Sequence, residues 1–204
     1  MLERFRHAWR GVMSPPARLL LRWGVRPDAV TWVGTLLLVL VAFGTVPFGW
    51  LWQGAVVMGL VVLSDSLDGQ MARLAGTETA YGAFLDASLD RVADASVMTV
   101  VLIHLVQADA GPVWIGLASW ALAVGQMTSY VKARAEAEGF TANVGLAARA
   151  DRLVVVLLGL LLAGLRVPWA VEIAVALLAV AGTVTVFQRL ATVRAQARRA
   201  VASR

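Results

Sequence analysis

Asp65-Ser66-Leu67-Asp68-Gly69-Gln70-Met71-Ala72-Arg73, then eight residues to Gly82, then Asp86 and Asp90, sets four carboxylates within otherwise apolar sequence. Ionisable groups inside a membrane span are expensive and call for a compensating role. Asp65 and Asp68 are spaced i,i+3, and Asp86 and Asp90 i,i+4, so on helices each pair shares one face. Gly69 and Ala72 continue the first face, where small residues let a ligand approach the backbone.

Depth is a second constraint. If the two helices run antiparallel through a turn near Thr77, Asp65 lies 12 residues before it and Asp90 13 after, while Asp68 and Asp86 are each nine away. At ~1.5 Å per residue the carboxylates form two matched layers, and at ~8–10 Å between helix axes the side chains can converge. Four such carboxylates cannot all stay ionised without positive partners. Arg73 is one candidate, and one or two divalent cations supply the charge more directly. Two other readings fit the same residues: a buried Asp–Arg network without metal, and a cation or proton pathway.

The rest of the chain sets the context. Of 204 residues, 59% are hydrophobic and 15% charged, with no cysteine and two histidines, and the mean hydropathy is +0.74. This is the profile of an all-α, polytopic membrane protein. Thiolate and His-rich metal sites are excluded, so any metal is held by carboxylates, which favour hard ions. The net charge of +5 does not indicate nucleic acid, because the basic residues gather at helix ends, where they set topology and meet anionic headgroups.

Six apolar stretches approach the ~20 residues needed to cross a ~30 Å hydrocarbon core: 29–48, 52–74, 82–107, 112–134, 152–166 and 168–189. Arg166 and Pro168 mark the last turn. The chain reads as one domain over 1–204: an interfacial segment over 1–27, a six-helix bundle over 28–190 and a basic tail over 191–204. Leu2, Phe5, Trp9, Val12 and Met13 recur at helical spacing among arginines, which predicts an N-terminal amphipathic juxtamembrane helix. Pro15-Pro16 is expected to separate it from a second short segment, Arg18–Trp23. The 49–51 and 108–111 connections lack lysine and arginine, and the 166–168 turn has one arginine; the N-terminus, 132–152 and the C-terminus are basic. Both termini are therefore expected on the cytoplasmic side of a plasma membrane. Trp50, Trp52, Trp114 and Trp169 would then anchor the outer interface.

The run D-x2-D-G-x2-A-R-x8-G-x3-D-x3-D resembles the signature of the CDP-alcohol phosphotransferases, and every signature position is present. The resemblance implies a transferase in phospholipid biosynthesis that acts on a CDP-linked lipid such as CDP-diacylglycerol and uses Mg2+ or Mn2+, with two ions. Asp65, Asp68, Asp86 and Asp90 would hold metal, and Asp90 would also be the general base. Gly69, Ala72 and Arg73 would hold the nucleotide diphosphate, with Thr79 adding a contact. Asp28, Ala29, Val30 and Thr31 resemble the family's contacts at the start of the first span. Asp28 or Thr31 could equally cap that helix. Homodimerisation is implied by the resemblance alone.

A second polar cluster bears on the acceptor. Ser129, Lys132 and Arg134 precede Arg149, Asp151 and Arg152, and Arg189 closes the last span. Several guanidinium groups and an ammonium suit a dianionic phosphate, although basic residues at inner helix ends are expected in any case. The segment from Lys132 to Leu153 is similar to the actinobacterial phosphatidylinositol phosphate synthases. By that resemblance Ser129, Lys132, Arg134, Arg152 and Arg189 bind inositol 1-phosphate; glycerol 3-phosphate is the rival acceptor. A transporter would need polar residues continuing outward, and only Gln53, Ser64, Thr99 and His104 offer them.

Overall fold

Proline, glycine and the apolar runs set where the helices start and stop. The computed structural model describes residues 14–64, 66–146 and 148–202, and these form helices without a strand. Residues 14–22 are helical (α1). Next come α2 (Pro27–Thr45), a 3-10 turn at Val46–Phe48, α3 (Leu51–Ser64), α4 (Ser66–Ala75) and α5 (Ala80–Gln107). The chain continues through α6 (Pro112–Ala137), α7 (Arg149–Gly164) and α8 (Ala170–Ala202). Pro27 and Pro112 stand in the first turns of α2 and α6, where a missing N–H costs nothing. Gly76, at φ +62°, ends α4, and the Thr77 N–H returns to the Ala72 carbonyl at 3.0 Å.

Several sequence expectations change. Pro15 and Pro16 lie within α1 instead of ahead of it; proline is tolerated where its N–H is not needed. The expected amphipathic helix over Leu2–Met13 lies outside the described residues, as does Asp65. Arg26 occupies the N-cap of α2 with no side-chain cap, so neither Asp28 nor Thr31 caps that helix. The segment after residue 190 is not a separate tail, because α8 runs on through it.

The expected apolar stretches fall on helices, and the one over 52–74 is shared by α3 and α4. Among the described residues, three runs are long and apolar enough by themselves to cross a membrane: Pro27–Phe48, Leu51–Ala75 and Ala170–Ala200. Large apolar side chains such as Leu40, Leu60, Val180 and Phe187 are at least 60% exposed, the outward face of a protein that sits in lipid.

Packing joins α2 to α3 and α5, α3 to α7, α5 to α6, and α8 to α6 and α7. Met58, Val97, Val100, Val101, Leu105, Leu160 and Val175 are almost wholly buried and form the apolar centre. Close contacts need small residues: a Cβ on Gly164 would lie 2.4 Å from the Trp52 backbone nitrogen. Gly145, at φ +133°, brings the loop before α7 against α8; a Cβ there would lie 2.2 Å from Thr185 Cγ2. The Leu146 N–H donates to Thr185 Oγ1 at 3.1 Å. Buried polar residues come from every helix that meets the site: Thr31 and Thr35 from α2, Asp68 and Gln70 from α4, Asp94 and Ser96 from α5, Thr128 from α6, Arg152 from α7 and Thr185 from α8.

Candidate functional site

The start of α2 packs against α4, and that contact orients the first carboxylate. Asp68 is buried, and its Oδ2 accepts from Thr31 Oγ1 at 2.5 Å. Its Oδ1 accepts from the Gly69 N–H, also at 2.5 Å. Gln70 is buried one residue further on; its Oε1 accepts from Arg73 Nη2 at 3.3 Å and its Nε2 donates to Ser14 Oγ at 3.2 Å. The Arg73 guanidinium lies 3.8–3.9 Å from where a Gly69 Cβ would be, so the glycine leaves open backbone beneath a cationic group. Asp28 Oδ1 lies 3.5 Å from the corresponding position on Gly82, which places Asp28 beside the start of α5. Ala29 is exposed, and Val30 and Ala72 are half-buried. Thr79 serves as N-cap of α5, its hydroxyl accepting from the Gly82 N–H at 2.9 Å.

Along α5 the acidic stripe runs one turn further than the signature, through Asp86, Asp90 and Asp94. Burial deepens along it: Asp86 is exposed, Asp90 half-buried and Asp94 buried. Arg149 Nη2 lies 2.8 Å from Asp90 Oδ1, and Arg149 Nε donates to Asp94 Oδ1 at 3.3 Å. Arg152 Nη2 donates to Asp94 Oδ2 at 2.8 Å and its Nη1 to Thr128 Oγ1 at 3.0 Å. Arg189 donates to the Thr128 carbonyl at 2.5 Å and to the Val144 carbonyl at 2.9 Å. Arg91 is held more loosely, 3.8 Å from Asp90 and 3.7 Å from Asp94. Its buried Nε has no acceptor among the described residues.

A cationic partner of Asp90 thus comes from α7, 59 positions along the chain, and lies closer than Arg91 on α5 itself. Two of the five expected phosphate-binding residues, Arg152 and Arg189, meet at Thr128. Ser129 adjoins Thr128 and is half-buried. Lys132 lies one turn beyond Thr128, 3.7 Å from Glu136 on its own helix. Arg134 is largely exposed and bonds Glu138, which makes it the most peripheral of the five. Sequence reasoning missed Asp94 and Thr128. The continued i,i+4 spacing after Asp90 was a usable signal for Asp94; nothing local distinguished Thr128 from Ser129.

Among the described residues no three side chains stand together as a metal-binding group; the stretch holding Asp65 is outside them. The donor set still fits a hard divalent cation in kind. Asp68, Asp86 and Asp90 offer only carboxylate oxygens, and Asp68 is oriented by Thr31 and the Gly69 N–H, as outer-shell partners orient metal ligands.

Comparison with known proteins identifies the family. Residues 25–187 match the family model for CDP-alcohol phosphatidyltransferase. The chain is 46% identical, over 95% of its length and 98% of the relative's, to a phosphatidylinositol phosphate synthase of Cutibacterium acnes. It is 41% identical to the enzyme of that name from Mycolicibacterium smegmatis, over 93% of this chain and 86% of that one. The crystal structure of Mycobacterium tuberculosis phosphatidylinositol phosphate synthase with CDP-DAG bound superposes with a TM-score of 0.86 at 39% identity, covering 89% of this chain and 93% of that one. The same enzyme in complex with manganese and citrate gives a TM-score of 0.84 at 40% identity, with 89% and 88% covered. With the signature complete in its sequence, the chain belongs to the CDP-alcohol phosphatidyltransferase family.

Proposed function

We propose that this chain is a phosphatidylinositol phosphate synthase, which transfers the phosphatidyl group of CDP-diacylglycerol to inositol 1-phosphate and releases CMP. The observation that carries this reading is the meeting of the α7 arginines with the signature acid: Arg149 stands 2.8 Å from Asp90. Arg152 and Arg189 converge on Thr128 beside it. A phosphorylated acceptor bound by these guanidinium groups has its hydroxyl near a carboxylate base. An uncharged acceptor such as free inositol offers no anion to the arginines gathered here. The relatives described above bear the name phosphatidylinositol phosphate synthase.

Asp65, Asp68, Asp86 and Asp90 would hold Mg2+ or Mn2+, as two ions. A metal held there would supply positive charge against the pyrophosphate and the leaving CMP. The side chains do the rest. Arg73, above the open backbone of Gly69, binds the nucleotide diphosphate, with Ala72 and the Asp28–Thr31 turn lining the same end. Ser129, Lys132, Arg152 and Arg189 bind the acceptor phosphate, with Arg134 at the rim. Asp90 takes the proton of the acceptor hydroxyl as its oxygen attacks the β-phosphorus. The new O–P bond replaces the anhydride bond to CMP, and no covalent enzyme intermediate is needed.

Six spans, cytoplasmic termini and a cytoplasmic site in the plasma membrane complete the proposal, because basic residues mark this end of the bundle. The dimeric state rests on family likeness. A relay for ions is disfavoured by the other half of the bundle. The hydroxyls of Ser64 and Thr99 donate to the Val61 and Ala95 carbonyls of their own helices.

The test is purified protein with radiolabelled CDP-diacylglycerol, Mg2+ and each acceptor in turn. CMP release with inositol 1-phosphate and not with glycerol 3-phosphate is the expected result. The reverse would replace the acceptor while keeping the family chemistry. No release with either would reopen the transport reading.

A further inference from the structure

Arg152 is an arginine with 9% of its surface exposed, at a position that the proposed function assigns to a phosphate. A guanidinium buried to that degree is costly unless a carboxylate or hydrogen-bond acceptor accompanies it. Asp94 is that carboxylate. It is itself 8% exposed, and its two oxygens divide between two guanidiniums: Oδ2 takes Arg152 Nη2 at 2.8 Å and Oδ1 takes Arg149 Nε at 3.3 Å. One side chain on α5 therefore sets the spacing and tilt of two arginines one turn apart on α7. Arg149 in turn reaches Asp90, so the base and the phosphate arginines share one anchor.

Arg91, 3.7 Å away, is the third cation near Asp94 and the more loosely held. Asp94 lines a cavity of about 20 Å3 with Gln126, Arg152 and apolar side chains of α5 to α8. Gln126 donates to the Arg91 carbonyl, not to Asp94. Around Asp90 and Asp94 stand three guanidiniums, those of Arg91, Arg149 and Arg152. The cluster keeps positive charge in excess while two of its arginines are fixed in direction, which is what selective binding of a phosphate monoester requires.

We infer that Asp94 is a positioning residue for the acceptor phosphate, holding Arg149 and Arg152 as a preset pair. The inference rests on the proposed assignment of Arg152 to that phosphate. It does not depend on which phosphorylated polyol carries it.

The experiment compares wild type, Asp94→Asn, Asp94→Glu, Arg152→Gln and the Asp94→Asn/Arg152→Gln double variant in lipid nanodiscs. KM is measured for CDP-diacylglycerol and for the better of inositol 1-phosphate and glycerol 3-phosphate, and acceptor binding is measured without CDP-diacylglycerol. Asp94→Asn is expected to raise acceptor KM and weaken acceptor binding by about tenfold or more. KM for CDP-diacylglycerol should stay within about twofold. Asp94→Glu should recover part of the loss, and the double variant should lose less than the two single losses combined, any excess over Arg152→Gln alone coming from Arg149. An unchanged acceptor KM, equal losses for both substrates, or additive losses in the double variant would each overturn the inference. If Asp94→Asn does not fold, Asp94→Glu decides by the same criterion: an acceptor-selective rise in KM supports the role, and an unselective or absent one refutes it. A wild type that uses glycerol 3-phosphate defeats the acceptor assignment alone.

Discussion

The two halves of the site are built differently. The aspartate half draws on α4 and α5, helices adjacent in sequence, and depends on i,i+3 and i,i+4 spacing. The arginine half draws Arg149 and Arg152 from α7, Arg189 from α8, Thr128 from α6 and Asp94 from α5. In the first, a local repeat makes the chemistry. In the second, side chains from four helices become a pocket only because the bundle closes. Asp90 belongs to both, through Arg149. This division suggests that changes in the aspartate half should abolish turnover, and changes in the arginine half should weaken acceptor use while sparing the lipid nucleotide.

The strongest test of the division is metal removal. Chelation with EDTA should reduce CMP release to background, and added Mg2+ or Mn2+ should restore it; turnover that survives chelation would break the carboxylate reading. Next in size, Asp90→Asn should lower kcat by about 10²–10⁴-fold, the usual contribution of a general base, with CDP-diacylglycerol still bound. Arg152→Gln is smaller and more selective. Loss of a charge-assisted contact should raise acceptor KM by about 10–100-fold with little change for CDP-diacylglycerol. A loss shared equally by both substrates would erase the distinction between the halves. The smallest effect is expected for Thr79→Ala, which removes the α5 N-cap and should cost about 1 kcal/mol of stability. Substrate KM values should then stay near wild type, and a selective rise in KM for CDP-diacylglycerol would return Thr79 to the nucleotide site.

Much of this was legible in the chain before folding. Carboxylates in apolar sequence, at helical spacing on either side of a short turn, announced a charged site at one end of two antiparallel helices. The helix positions followed from apolar run length and from proline and glycine. The prolines at 15 and 16 misled because their effect depends on where in a helix turn they fall. The capping role of Asp28 or Thr31 failed because α2 begins earlier, with Arg26 at its N-cap, which leaves both inside the helix and Thr31 bonded to Asp68, 37 positions along the chain. Arg134, grouped with Lys132 by proximity in sequence, bonds along its own helix.

Sequence alone determined the helical class, the apolar character and the acidic motif, since each rests on residue type and short-range periodicity. Only the tertiary structure decided which cation faces which carboxylate. Arg149 pairs with Asp90, Asp94 is shared between two arginines, and Thr128 rather than its neighbour receives Arg152 and Arg189. The physical reason is range. Helical spacing is set by hydrogen bonds over four residues, whereas these partners lie 24 to 61 positions apart. They meet because α5, α6, α7 and α8 bury a common apolar centre and leave their polar ends together.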